Sequence, residues 1–251
     1  SYFVGRALVD AFEVLGDNRY LAAAEQVVIF LLTVPKILYQ DESMLCLSYV
    51  PSPDITMAVM DVSALCGALC AMVSKHTGND VFGHQAGRLL RYVVDKQTDE
   101  GAWFYTHPSG DSRIIHDNYH SGEIVDALRE YEVYTGDVSF NPAYQRGLDF
   151  YREHLFTANL RPKWMHDQEY PYDIHGYAQG ILTFTTAGKF GLAARIAQSA
   201  LEDMWEAREG RFFYQKHRFY TVGFTLMRWC QAWMTYALST YLLAAQEKEE
   251  R

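Results

Sequence analysis

The sequence predicts an all-α fold, an α/α toroid of about four to five helical hairpins, and three observations carry that prediction. Asp61, Asp117 and Asp173 stand 56 residues apart, and the same step leads forward to Trp229 and back to Gly5. Asp61, Asp117, Asp173 and Trp229 each mark the opening of a segment with helical apolar periodicity: "DVSALCGALCAMV", "DNYHSGEIVDALREY", "DIHGYAQGILTF" and "RWCQAWMTYALSTYLL". Each unit then continues with a Gly-containing turn, a second helical segment and a short aromatic stretch.

The turns are "LGDNRY", "TGNDVF", "TGDVSF" and "AGKFGL". Their glycines suit a left-handed helix C-cap, and the neighbouring Asp or Asn suits the next helix start. The second helices are expected at "YLAAAEQVVIFLL", "VFGHQAGRLLRYVV", "AYQRGLDFYREHL" and "LAARIAQSALEDMW". The stretches "MLCLSYVP", "EGAWFYTHP", "RPKWMHDQ" and "EGRFFYQKH" read as turns or short strands, and Tyr49 and Tyr105 repeat the same step. A hairpin cannot bury both its faces alone, so neighbouring hairpins must stack. The helices opening at Asp61, Asp117, Asp173 and Trp229 are the expected inner ring, and the more charged ones the outer ring. An open solenoid of hairpins is the competing architecture. A single domain over residues 1–251 is expected. "SYFVGRALVDAF" starts in mid-helix without an initiator Met, so the expectation includes a fragment lacking an N-terminal hairpin. "QEKEER" reads as a charged helix end or fray.

Bulk properties narrow the function. A formal net charge of −9 opposes a nucleic-acid partner, which needs a basic surface. The longest apolar run, "LAAAEQVVIFLLTV", is broken by Glu25 and Gln26, so no membrane insertion is expected. The four cysteines include Cys66 and Cys70 one helical turn apart; core packing outweighs a metal site there, and a reducing, cytoplasmic setting is expected. An aromatic content of 15% suits a core and also a sugar-binding cleft. There is no GxSxG, GxGxxG, P-loop or HExxH pattern, so no cofactor and no metal is expected, although His116, His120, His166 and His175 with Asp117 and Asp173 are the residues a metal would use. The oligomeric state is left open.

The segments "TDEGAWFYTHP", "HDNYHSGEIVDAL", "YTGD" and "YPYDIHGYAQGI", in this order, look like a prokaryotic group of the six-hairpin glycosidase-like superfamily. That group is associated with polysaccharide biosynthesis and is distantly similar to uronate epimerases and lyases. The resemblance covers about residues 54–218. It implies a toroid and a carbohydrate substrate; it does not imply one reaction, because such folds host many chemistries.

Candidate site residues gather at the inner-helix entrances. His120, Tyr119, Glu123, Asp117, Asp173 and His175 are the candidate catalytic groups. Asn118, Trp103, Tyr105, Lys163, Trp164, Tyr177, Gln179 and Arg228 are the candidate substrate contacts. Asp117, His120 and Glu123 follow one another at three-residue steps, and His175 and Gln179 at a four-residue step, so each set shares a helix face. The competing accounts are structural: N-caps for Asp61, Asp117 and Asp173, satisfied interior rings for the histidines, and loop plugs for Trp103 and Trp164. Lys163 and Arg228 either bind a carboxylate or pair with surface acids. The polar residues differ between repeats while the apolar frame is shared, which favours function for Asn118, Tyr119, His120 and Glu123.

The expected activity is proton abstraction on a polysaccharide or uronic-acid-containing glycan, of epimerase or lyase type. The alternatives are a glycoside hydrolase using paired carboxylates, with Asp117 or Glu123 opposite Asp173, a non-catalytic glycan-binding or scaffold module, and a terpene-cyclase-like enzyme, which "DNYHSGE" matches poorly.

Overall fold

The computed structural model describes residues 1–52 and 54–250, so Arg251 of the charged terminus lies outside the described residues. The described chain is helical hairpins joined by short strands. It divides into two compact units, residues 1–115 with 124–147, and residues 116–123 with 148–251.

The first unit holds α1 (Tyr2–Leu15), α2 (Asn18–Thr33), β1 (Ile37–Gln40), β2 (Leu45–Leu47), β3 (Ala58–Val59), α3 (Met60–Thr77), α4 (Asp80–Asp95) and β4 (Thr106–His107). It also holds the later turns of α5 (Asn118–Thr135) and the first turns of α6 (Asn141–His154). The expected turns form as written. Gly16, Gly78 and Gly136 end α1, α3 and α5 with φ of 67°, 71° and 74°, a region closed to most side chains. Asp17 then accepts from the Arg19 N–H and Asn79 from the Val81 N–H, which satisfies orphan donors at the next helix start.

Helix α3 is buried continuously from Ser63 to Val73 and packs on α1, α2 and α4, as an inner helix should. Small residues make this possible: Gly67 lies against Leu90, Leu89 and the Ala86 carbonyl. Cys66 and Cys70 are free, buried members of this helix. Burial pushes the Cys66 thiol up to about 12 and Cys70 well above its ordinary value, so both behave as small apolar residues. Asp61 corrects one expectation. It is the second residue of α3 and not its cap; Val59 holds the cap position with no side-chain bond. The start of α3 is set by the backbone instead, through β3 pairing with β4 and the Met60 N–H donating to the Tyr105 carbonyl.

The second unit holds the head of α5, the later turns of α6, β5 (Tyr172–Asp173), α7 (Ile174–Thr186), α8 (Phe190–Met204), β6 (Trp205–Glu206), β7 (Arg211–Phe212), β8 (Gln215–Lys216), β9 (Thr221–Val222), a π-helical stretch (Met227–Ala232) and α9 (Trp233–Glu249). Gly188, with φ of 70°, follows α7. Every residue of α7 from Ile174 to Thr185 is buried, and the helix packs on α8 and α9. Strands β5, β8 and β9 form one antiparallel sheet in which Asp173 faces Gln215 across the ladder. The expected fourth inner helix is present, opened by the π-helical stretch.

The tightest helix approach in this unit is at Gly122, where an added Cβ would lie 2.5 Å from Gln179 Cγ and 2.9 Å from the Tyr151 hydroxyl. In the first unit another close approach is at Gly147, where a Cβ would meet the Trp103 ring at 2.6 Å. That ring is pinned, because its Nε1–H donates to the Val93 carbonyl at 2.8 Å. Gly147→Ala is therefore expected to lower unfolding free energy by about 1–3 kcal/mol, the usual cost of overpacking. Denaturant titration of the variant against the parent protein measures it.

Candidate active site

Most of the candidate residues fall in the second unit, around the heads of α5 and α7. Asp117 precedes α5, and its Oδ2 accepts from His120 twice, from the backbone N–H at 3.4 Å and from ring Nδ1–H at 2.7 Å. A carboxylate only accepts, so this contact places the imidazole proton on Nδ1 and makes Nε2 the basic nitrogen. The Asp117 side chain is 4% exposed and that of His120 16%, so the pair is sheltered and the imidazole is the less buried of the two. Glu123 is buried three residues further along α5.

Asp173 occupies the same repeat position with a different set of partners. It caps α7 through Oδ1, which accepts from the His175 N–H at 2.9 Å and from Trp229 Nε1–H at 2.9 Å. Its Oδ2 accepts from Gln215 Nε2 at 2.7 Å. Burial raises its pKa, while Gln215, the His175 N–H and Trp229 pull the other way. With both oxygens held by neutral donors, this carboxylate is a fixed anchor.

His175 is the most unusual group. It is 3% exposed, and neither ring nitrogen has a hydrogen-bond partner. The Tyr119 ring stacks on it at 4.6 Å and 15°, the Trp233 ring lies at 4.3 Å, and Trp229 meets it edge-on at 4.4 Å. Burial, then repulsion from His120, lowers its pKa to about 3, so it is a neutral imidazole at physiological pH. Tyr119 touches both histidines, with its ring 4.1 Å from that of His120.

The remaining candidates separate from this group. The Asn118 side chain is consumed by structure: Nδ2–H donates to the Leu155 carbonyl at 2.7 Å, and Oδ1 accepts from the Tyr151 hydroxyl at 3.1 Å. Lys163 donates to the His154 and His166 carbonyls and staples its loop. Trp164 binds the head of α5 through its backbone carbonyl, which accepts from the Asn118 N–H at 3.3 Å. Tyr177 is fully buried and donates to Asp203 at 3.0 Å, and Gln179 donates to Thr183 at 3.1 Å. Arg228 is exposed beside Trp229. In the first unit, Trp103 is 2% exposed and serves as the core plug described above, while Tyr105 is half-buried and uses its backbone to bridge Ile115 and Met60. The histidines grouped by the sequence also divide, since His116 pairs edge-on with His166 at 5.0 Å and His175 with the Tyr119 cluster.

Sequence reasoning did not place Trp229, Trp233 or Gln215 in the site. Trp229 carried a signal, standing one repeat step beyond Asp173; that spacing has become a direct hydrogen bond. Gln215 carried none, because strand pairing alone brings it to Asp173.

The helical-hairpin fold is shared with several solved α/α-toroid structures, among them carbohydrate-acting enzymes. The chain is similar to a sugar epimerase from a ruminal bacterium at 12% identity and a TM-score of 0.74, over 99% of this chain and 73% of that one. It is similar to an unsaturated glucuronyl hydrolase specific for heparin at 15% identity and 0.71, over 96% and 72%. A GH76 α-mannanase from Bacteroides thetaiotaomicron gives 15% and 0.68, over 99% and 68%. No protein-family model and no curated protein sequence matches the chain. Among the described residues no helix is long and apolar enough to cross a membrane.

The buried neutral His175 has a measurable consequence. Its native pKa of about 3 lies below the unfolded value of 6.5, so the unfolded chain takes up a proton first as pH falls. This contribution is absent above pH 6.5 and grows as pH drops from there toward 3. The expected loss approaches about 1.4 kcal/mol per pH unit within that window. Comparing urea unfolding of the parent and His175→Phe from pH 7 to pH 4 tests it: the variant should show the shallower decline, and parallel curves would refute a buried neutral ring.

Proposed function

We propose that the protein is a carbohydrate-active enzyme that removes a proton from a carbon next to a carbonyl or carboxylate of a sugar, an epimerase- or lyase-type reaction on a uronic-acid-containing or related glycan. The observation that carries this reading is the Asp117–His120 pair, with Nδ1–H held by a buried carboxylate at 2.7 Å. In this role His120 Nε2 takes the proton, and Asp117 keeps the ring oriented and stabilises the imidazolium that forms. His175 supplies a neutral imidazole N–H to the enolate-like oxygen, for which a ring uncharged at physiological pH is suited. In this role the Tyr119, Trp229 and Trp233 rings packed around His175 move to admit the substrate. Glu123, buried beside the pair, is the second proton-carrying group on the same helix face.

The paired-carboxylate hydrolase is the weaker reading. It asks Asp173 to exchange protons with a leaving group or water, yet three donors already occupy its oxygens. The carbohydrate-acting neighbours support the substrate class and leave the reaction to the site.

Incubating candidate sugars and uronate oligosaccharides in deuterated water tests the reaction. Solvent deuterium at the abstracted position marks an epimerase, and an unsaturated product absorbing in the ultraviolet marks a lyase. Depolymerisation with neither signal would sink the proposal in favour of hydrolysis. His120→Ala is expected to lower kcat by about 10²–10⁴-fold, and Glu123→Gln to abolish turnover, with thermal midpoints nearly unchanged. Collapse of the midpoint without any activity in the parent protein would instead mark these residues as structural.

A further inference from the structure

The first unit carries a cleft of ≈ 510 Å³ lined by Lys36, Tyr39, Thr56, Tyr92, Lys96 and His107. Its size falls in the ~300–1,000 Å³ range of ligand clefts. Its chemistry runs against the protein as a whole, since a chain of net charge −9 here gathers two ammonium groups. Lys36 is exposed, and among the described residues no acid pairs with it. Lys96 stands over the Tyr92 ring at 5.5 Å and pairs at 3.0 Å with Asp95, whose side chain is half exposed. A partner so exposed holds a lysine weakly and yields to a better-placed anion. The aromatic groups form a row, with Tyr39 and Tyr92 centred 5.8 Å apart and Tyr92 and His107 6.4 Å apart. Two of these side chains are braced: Tyr39 donates to Asp41 at 2.6 Å, and Tyr92 is 4% exposed. The pKa of His107 is lowered by burial and then by Lys96, with Asp95 and Asp111 pulling the other way.

We propose that this cleft of the first unit is a binding site for an anionic sugar, a pyranose bearing a carboxylate or a phosphate. The sugar ring stacks on the exposed Tyr39, which the buried Tyr92 supports from behind, and the anionic group is received by Lys36 and Lys96. Aromatic rings offer an apolar face to sugar C–H groups, and an ammonium in a cleft focuses an anion against the global sign of the protein. The choice of a sugar rests on the carbohydrate reading above; the choice of an anion rests on the lysines alone.

Calorimetric titration of the intact protein with tetragalacturonate, glucose 6-phosphate, maltotetraose and sodium sulfate tests the proposal, with amide-shift mapping of the wild-type protein to locate each ligand. The anionic sugars are expected to bind at residues 36–39, 56, 92–96 and 107 at least tenfold more tightly than maltotetraose, and more weakly as salt is raised. Lys36→Gln with Lys96→Gln should weaken them at least tenfold. Tyr39→Ala should weaken the sugars and leave sulfate unaffected, and His120→Ala should leave binding here intact. The stronger of the two anionic sugars identifies the source. No binding at these residues, equal binding of maltotetraose, or sulfate binding as tightly as the sugars would each overturn the proposal. Shift mapping on the parent protein decides the location even where a variant fails to fold. Turnover at His120 is read separately, so loss of either site is distinguishable from loss of the other.

Discussion

The arrangement of the second unit depends on one buried carboxylate. Asp173 must satisfy the free N–H groups at the head of α7, because a helix end sealed from water cannot leave them unpaired. Once there, the carboxylate is itself buried and needs further donors, which Gln215 of β8 and Trp229 of the π-helical stretch supply. Three elements far apart in sequence are thereby held at one point. The indole fixed in this way, with Tyr119 and Trp233, encloses His175 and removes the water that would let it charge. The electrostatic state of the candidate site thus follows from the capping requirement of one helix.

A second buried acid shows the same logic with charges. Burial alone would raise the pKa of Asp203; Arg161, Lys216 and Tyr177 overcome it and hold the carboxylate below its ordinary value. This cluster joins α8 to β8 and to α7, and it is why Tyr177 serves the scaffold. Asp203 is matched by cations because it lies among them. Asp173, matched by neutral donors alone, remains a group whose ionisation burial disfavours.

Asp117 and Asp173 make the contrast that matters for chemistry. They stand one repeat apart at the entrances of equivalent helices, and both accept from a backbone N–H of the following turn. Asp173 gives its remaining capacity to Gln215 and an indole, and becomes an anchor. Asp117 gives it to the ring of His120, and the result is an oriented base. The same local device supports structure in one repeat and supplies a candidate proton acceptor in the next, according to which side chain stands three residues on.

Much of the architecture was legible because it is periodic and local. The 56-residue step, the Gly turns and the alternation of helices with aromatic stretches are properties of short segments, and each formed where those segments placed it. That Asp117 and His120 lie close together was legible for the same reason, since a three-residue step at a helix entrance puts them on one face; their hydrogen bond was not. What sequence reasoning lacked was any contact between elements distant in the chain. Gln215 reaches Asp173 through strand pairing, Tyr177 is claimed by Asp203, and Asn118 and Lys163 are claimed by loop carbonyls. Asp61 failed as a cap because a strand pair, and not a side chain, starts its helix. The residue types and their helical spacing thus determined the hairpins and the polar helix entrances by local backbone and side-chain physics. Only tertiary burial decided which polar groups were left for chemistry, because a group's partners and its water depend on everything packed around it.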